Sequence, residues 1–263
     1  MIKLSKIPKT IHYCWFGRGK KPKIAKKCIK SWKKYLPDYE IIEWNEDNFD
    51  INSNLYVKQA YEAKKYAFVS DYVRLYALYN YGGIYMDTDI QVLKSIDKLL
   101  ENEAFTGYED ENYIACGIMG CKKGNLIFKE FLESYNERTF IKKDNSLDQT
   151  TIVKVMTDIC SKYGSNINNT YEQIDGLTIY PKDYFYPISY NNHKKCFSSN
   201  TYTIHHYTAS WLSEEVKKNI IKNKNYNRKK EWLCKFMSER SANIVLDFKW
   251  ILKNKINKII KQL

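Results

Sequence analysis

From residue 67 to 93 the apolar positions change their period, and the chain changes element with them. Phe68, Leu75, Leu78 and Tyr79 recur near 3.6, which predicts a helix with one buried stripe. Asp71 and Arg74 stand three apart and share a face about one turn long. Gly82-Gly83 stops the helix, because glycine takes the left-handed C-cap conformation at little cost. Ile84-Tyr85-Met86 is then a β-prone run leading into Asp87-Thr88-Asp89.

The same reading extends to the rest of the chain. Residues 7–16 predict a first buried strand, with Gly17-Arg18-Gly19 as the loop after it. Residues 22–35 predict a basic helix with Ile24, Cys28 and Trp32 inward, broken at Leu36-Pro37-Asp38. Residues 39–44 form a second strand. Strand, helix, strand, helix, strand is the alternation of a doubly wound α/β sheet, joined by right-handed crossovers. Further strands are expected at 101–108, 113–121 and 177–187, and a helix at 126–135. Another helix opens at Asp148-Gln149-Thr150-Thr151, with Asp148 placed as N-cap.

On an extended strand, residues two apart point to one side. Asp87 and Asp89 are therefore expected to aim both carboxylates at one point at the strand's C-terminal end, where open α/β sheets bind ligands. Two hard oxygen donors suit Mg²⁺ or Mn²⁺ better than zinc. A bare Asp-x-Asp also reads as a solvated turn. The apolar strand before it and the Asp/Arg helix face favour the metal.

Ser70-Asp71-x-x-Arg74, followed by Gly82-Gly83-Ile84-Tyr85-x-Asp87-x-Asp89, resembles the core motif of the family 32 glycosyltransferases. The same block occurs in the catalytic domain of the large clostridial glucosylating toxins. The resemblance implies a GT-A fold, an α/β architecture whose Rossmann-like mixed sheet is flanked by helices. It also implies a nucleotide-sugar donor, with UDP expected, a Mn²⁺ or Mg²⁺ ion, and retention at the anomeric carbon. Asp71, Arg74 and Asp87 would then contact the donor, and Asp87 and Asp89 the metal.

Ile11-His12-Tyr13-Cys14-Trp15 is similar to the family segment whose aromatic stacks on uracil, which implies Trp15; from the residues alone Trp15 serves equally as core. His12 reads as a hydrogen-bonded structural histidine. Residues 202–211 resemble the family's His-x-x-x-Ser-Trp element, which implies His206 as third metal ligand, with Ser210 and Trp211 at the diphosphate. Adjacent histidines on a strand face opposite ways, so at most one of His205 and His206 joins the ion. Asp148-Gln149 is similar to the Asp-Gln pair at a helix start in family 8 galactosyltransferases, which implies a place beside the donor sugar; capping alone also explains Asp148. Glu109-Asp110-Glu111 reads as a solvated turn, or as a group facing acceptor hydroxyls.

Composition narrows the picture. With 44% hydrophobic and 15% aromatic residues the chain is a folded domain. Its net charge of +13 favours polyanionic partners. No nucleic-acid-reading motif accompanies that charge, so no nucleic-acid partner is expected. Seven scattered cysteines without a CxxC pair argue against a disulfide framework or a zinc site and suggest a reducing cytoplasm. No apolar run follows Met1 before Pro8, and no window approaches 18 uninterrupted apolar residues. From Ser213 onward the chain is helical in pattern and very basic. Val245, Phe248, Leu252, Ile256, Ile259 and Leu263 form a stripe between lysines, the pattern of peripheral contact with anionic membrane. A helix packed on the protein gives the same stripe.

The expectation is a GT-A domain over residues 1–212 and basic amphipathic helices over 213–263. Its function would be metal-dependent hexose transfer from a nucleotide-sugar to a glycan or glycolipid acceptor in bacterial surface polysaccharide synthesis. A toxin-like transferase acting on protein and a basic nucleic-acid-binding protein are the alternatives.

Overall fold

The computed structural model describes residues 6–190 and 194–208 and, in the C-terminal segment, residues 226, 229–230, 232–241 and 243–248. Strand β1 (Thr10–Cys14) lies between β2 (Glu40–Trp44) and β3 (Gly83–Met86), parallel to both. Helix α1 (Lys23–Tyr35) makes the first crossover, and α2 (Leu55–Glu62) with α3 (Tyr66–Tyr81) the second. Beyond β3 the sheet continues through β6 (Ile118–Cys121), which is antiparallel to β3 and to β5 (Ala104–Gly107). β8 (Leu177–Tyr180) runs parallel to β5, and β7 (Glu172–Ile174) closes the edge antiparallel to β8. The order β2-β1-β3-β6-β5-β8-β7 is a mixed seven-stranded sheet. The expected α/β architecture is what the chain forms.

Two apolar layers hold it. Val69, Val73 and Leu78 of α3 pack with Phe128 and Phe131 of α4 (Leu126–Glu133) and Met156 of α5 (Ile152–Lys162) on one side. Trp32 of α1 packs with Ile84, Met86, Phe105 and Phe185 on the other. Burying a side chain of this size contributes about 1.5–3 kcal/mol each. Trp32 also donates its indole N–H to the Ile90 carbonyl (2.7 Å), which fixes α1 against β4 (Ile90–Val92).

The glycine pair after α3 is required by geometry. Gly82 and Gly83 have φ of 71° and 102°, and a Cβ on Gly83 would stand 2.6 Å from the Thr10 carbonyl oxygen. That close approach lets β3 enter directly beside β1. His12 occupies the same junction: Nε2 donates to the Gly82 carbonyl (2.8 Å), and Nδ1 accepts the Trp44 indole N–H (3.1 Å). It is structural, as its sequence context suggests.

Three expectations need correction. Asp87-Thr88-Asp89 is not extended strand: β3 ends at Met86, and the Ile90 N–H donates to the Asp87 carbonyl (2.9 Å), closing a β-turn. Only Ile118–Cys121 of the 113–121 stretch is strand: Ile114 and Ala115 keep single contacts to Tyr108 and Gly107, while the Cys116 and Gly117 carbonyls turn to Arg74 and the Asp87 N–H. Asp148 is not the N-cap of α5; Thr151 is, its hydroxyl accepting from the Lys154 N–H. A second, two-stranded sheet pairs β4 with β9 (Thr203–His205), an association between positions more than a hundred residues apart.

In the C-terminal unit Leu233 and Leu246 are buried beside Tyr226, Met237 and Val245, while Trp232, Phe236, Ile244 and Phe248 are exposed. Among the described residues no helix is long and apolar enough to cross a membrane. The stripe beyond Phe248, together with Ser210 and Trp211, lies outside the described residues.

Candidate active site

The site is assembled on α3. Because Asp71 and Arg74 are one turn apart, their side chains meet, with Nη2 2.9 Å from Asp71 Oδ1. Both are buried. Arg74 reaches further: Nη1 donates to the Cys116 carbonyl (2.8 Å), Nε to the Ser70 carbonyl (3.2 Å), and Nη2 stands 3.4 Å from Asp87 Oδ1. Its guanidinium lies over the Tyr85 ring at 4.6 Å. Arg74 is therefore a brace between helix, turn and strand entrance, with its donors directed into the protein.

Asp87 leaves β3 with its N–H bound to the Gly117 carbonyl (2.7 Å), while Oδ1 accepts the Tyr85 hydroxyl (2.9 Å). Oδ2 faces Gly117, where a Cβ would come within 3.1 Å of it. Asp89 faces β9. Its Oδ1 is 3.0 Å from His205 Nε2, and Oδ2 accepts both the N–H (2.8 Å) and the hydroxyl (2.9 Å) of Thr208. Register explains the meeting, since Ile90 pairs with His205 across β4–β9 and so delivers the imidazole to the preceding residue.

Electrostatics divides the three carboxyls. Burial pushes Asp71 up to about 6, against the pull of Arg74. Burial also raises Asp87, again opposed by Arg74. Burial would raise Asp89 too, yet the charge and hydrogen bond of His205 with the two Thr208 donors hold it well below the usual carboxylate range. His205 shows the converse: burial lowers it, and Asp89 more than reverses that.

One ligand atom from each of Asp87, Asp89 and His205 lies within 4.8 Å of the others. Neighbouring ligands of one octahedral ion at 2.0–2.2 Å stand about 3 Å apart, so the three side chains would draw together to share it. Two carboxylate oxygens with one imidazole nitrogen are a donor set that fits a divalent ion. His205 Nδ1 is buried without a hydrogen-bond partner among the described residues, and the ring packs against Tyr207 (4.0 Å between centroids) and Tyr186 (5.7 Å).

His205 thus stands where His206 was expected. His206, just past the end of β9, instead has Nε2 3.0 Å from Gln91 Oε1 of β4. The motif offset alone could not separate two adjacent histidines; the strand register does. Trp15 follows β1 at the same sheet edge, half-exposed, its indole N–H donating to the Gly19 carbonyl (2.6 Å) and Lys21 5.6 Å from its ring. Asp148 is tied to Arg138, with Nη2 2.8 Å from Oδ2, and Arg138 is sandwiched against Tyr56 and Tyr135. Gln149 is exposed.

Gly117 and Thr208 escape single-sequence reasoning, and Glu109 is legible there only as part of a solvated turn or a group facing acceptor hydroxyls. Gly117 acts through its backbone carbonyl and Thr208 through its N–H and hydroxyl, which no motif flags. Glu109 lies at the base of a loop within electrostatic reach of His205 and Asp87, and burial raises its carboxyl.

The chain matches a family model described as the glycosyltransferase sugar-binding region containing the DXD motif over residues 22–106. That region includes Asp71, Arg74, Asp87 and Asp89, and a second model, the alpha 1,4-glycosyltransferase conserved region, matches 122–241 and includes His205. Inositol phosphoceramide mannosyltransferase 3 of Schizosaccharomyces pombe is 31% identical over 126 residues, 45% of this chain and 34% of that protein. A mannosyl phosphorylinositol ceramide synthase of Saccharomyces cerevisiae is 27% identical over 139 residues, 49% of this chain and 35% of that protein. The chain spans about a third of the length of these relatives. Among solved structures, the PaToxG glycosyltransferase aligns with 59% of this chain and 68% of its own at 18% identity and a TM-score of 0.44. The galactosyltransferase LgtC aligns with 81% and 95% at 14% identity and a TM-score of 0.38.

Proposed function

We propose that the protein transfers a hexose from a nucleotide-sugar to an acceptor hydroxyl, with retention of configuration and with a divalent ion held by Asp87, Asp89 and His205. The observation that carries this reading is the convergence of those three side chains beside the Asp71–Arg74 pair. Breaking the sugar–phosphate bond leaves negative charge on the diphosphate. A bound Mn²⁺ or Mg²⁺ supplies the neutralising charge there. Asp71 is fixed by Arg74 and can take hydrogen bonds from sugar hydroxyls. Trp15, beside β1, is the candidate platform for the base. The buried surroundings keep these interactions in a low-dielectric setting, where they are strongest.

The relatives whose names specify mannosyl transfer to inositol phosphoceramide favour a mannosyl donor and a glycolipid acceptor over the surface polysaccharide expected from sequence. Exposed Trp232, Phe236, Ile244 and Phe248, in the basic C-terminal segment, support a role for that unit at an anionic membrane surface. The test is a panel of UDP- and GDP-sugars scored by thermal shift with and without Mn²⁺, followed by donor hydrolysis. One nucleotide-sugar is expected to raise Tm only with the ion, and Asp89→Ala to abolish that rise. A panel without any Mn²⁺-dependent shift or hydrolysis would overturn the reading.

A further inference from the structure

Three acids stand together at Glu109-Asp110-Glu111, and two have an evident structural use. Asp110 Oδ1 accepts the Asn112 N–H (2.8 Å), closing the loop tip, and Glu111 pairs with Lys182 at 2.6 Å. Glu109 has neither kind of partner. Among the described residues no lysine or arginine pairs with its carboxylate and no N–H or O–H donates to it, although it is largely enclosed. Leaving a carboxylate enclosed and without a hydrogen-bond partner costs stability; the charge of His205 offsets part of this, while Asp110 and Asp87 add like charge.

The loop places this group with care. Tyr108 bridges to Ile114, and the Glu109 N–H donates to the Tyr113 carbonyl (2.9 Å), so Glu109 sits at the neck and not at the tip. The returning chain supplies the Cys116 carbonyl to Arg74 and the Gly117 carbonyl to the Asp87 N–H. Sheet order then decides which side of the site Glu109 occupies. β1, with Trp15 beyond it, flanks β3 on one side; β6 and β5, which carry the Glu109 loop, flank it on the other. The carboxylate also stands outside the group whose ligand atoms converge on one point.

We infer that Glu109 is the acceptor-facing carboxylate of the site, receiving a hydrogen bond from a hydroxyl of the incoming sugar or polyol and orienting it toward the anomeric carbon. The inference rests on the glycosyltransferase reading. A neutral hydroxyl is the ligand chemistry that suits this position, because it donates a hydrogen bond without adding negative charge beside Asp87. A phosphate there would be repelled.

The experiment uses the full chain with Mn²⁺, the nucleotide-sugar selected by the panel, and octyl mannoside, galactoside and glucoside as acceptor probes. In Glu109→Ala, kcat/KM for the acceptor is expected to fall 10- to 100-fold, the range for losing a hydrogen bond to a charged group. The KM for the donor should move less than twofold. Glu109→Gln, which keeps an accepting oxygen, should lose less than the alanine variant. Both variants should melt no lower than wild type, since an unpaired enclosed charge is gone. An equal loss for donor and acceptor, an unchanged acceptor KM, or a lowered Tm would each overturn the assignment. A wild type that binds no nucleotide-sugar with Mn²⁺ would instead remove the glycosyltransferase reading, and this inference with it. A raised Tm in Glu109→Ala distinguishes the two failures, because it reports the unpaired carboxylate independently of turnover.

Discussion

His205 and Asp89 are 116 positions apart in the chain, yet Nε2 and Oδ1 lie 3.0 Å apart. The pairing of β4 with β9 creates this contact, and it ties the turn after β3 to a segment near the end of the larger unit. Asp89 holds Thr208 and His205 in place, and under the proposed function it would also offer oxygen to an ion.

Substitutions at neighbouring histidines should separate their roles. His205→Ala and Asp89→Ala are expected to reduce nucleotide-sugar turnover by a factor on the order of 10² to 10³, as loss of a group that stabilises developing charge does. His206→Ala, which breaks only the contact with Gln91, should change it less than about threefold. Mn²⁺-dependent hydrolysis rates measure this directly, and equal losses at the two histidines would contradict the assignment.

Arg74 is predicted to be a stability determinant. Removing it strands Asp71 and Asp87, both enclosed, without their shared cation. Arg74→Ala should cost about 3–5 kcal/mol in chemical denaturation. Arg74→Lys should recover only part of it, because a single ammonium cannot reproduce contacts to Ser70, Cys116, Asp71 and Asp87 together.

The Asp89–His205 pair should leave a signature in pH. Asp89 has a depressed folded value, so its contribution is complete above its ordinary value of 3.8 and is lost as pH falls through the depressed one. His205 has a raised folded value, so its contribution is complete below 6.5 and is lost as pH rises through the raised one. With a chelator present, wild type should therefore lose more stability between pH 5.5 and 8.5 than Asp89→Asn. Mn²⁺ affinity should rise over the same interval, since a ligating imidazole must be neutral. Parallel curves for wild type and variant would refute the coupling.

Gly117 should tolerate alanine in the fold but not in the site. Its backbone is not in the left-handed region, while a Cβ would stand 3.1 Å from Asp87 Oδ2, 3.3 Å from the Tyr186 hydroxyl and 3.6 Å from His205 Cε1. Gly117→Ala is expected to weaken Mn²⁺-dependent nucleotide binding roughly tenfold, as disturbing the support of a metal ligand does. Its Tm should change by only a few degrees. Calorimetric titration paired with thermal melts checks both parts.

Much of the first half was legible along the chain. β1, α1, β2, α3 and β3 each carry their own periodicity, and Gly82-Gly83 punctuates a junction where backbones nearly touch. Legibility faded where geometry depends on partners far away. The Asp87–Asp89 carboxylates converge through a turn and not through strand alternation, and Asp148 answers to Arg138 and not to a helix end. Neither distinction changes the local residue pattern, so local pattern could not reveal it.

By itself, then, the amino-acid order determined the α/β alternation, the Asp71–Arg74 face and the acidic pair after β3, because helical and extended periods are local properties of a few bonds. Which histidine joins that pair, and that Glu109 and Gly117 stand beside it, were settled only when β9 found its register on β4 and the loop after β5 folded back toward α3. Those contacts depend on long-range burial and hydrogen-bond pairing, which act between segments more than twenty to a hundred residues apart and leave no periodic trace in any one of them.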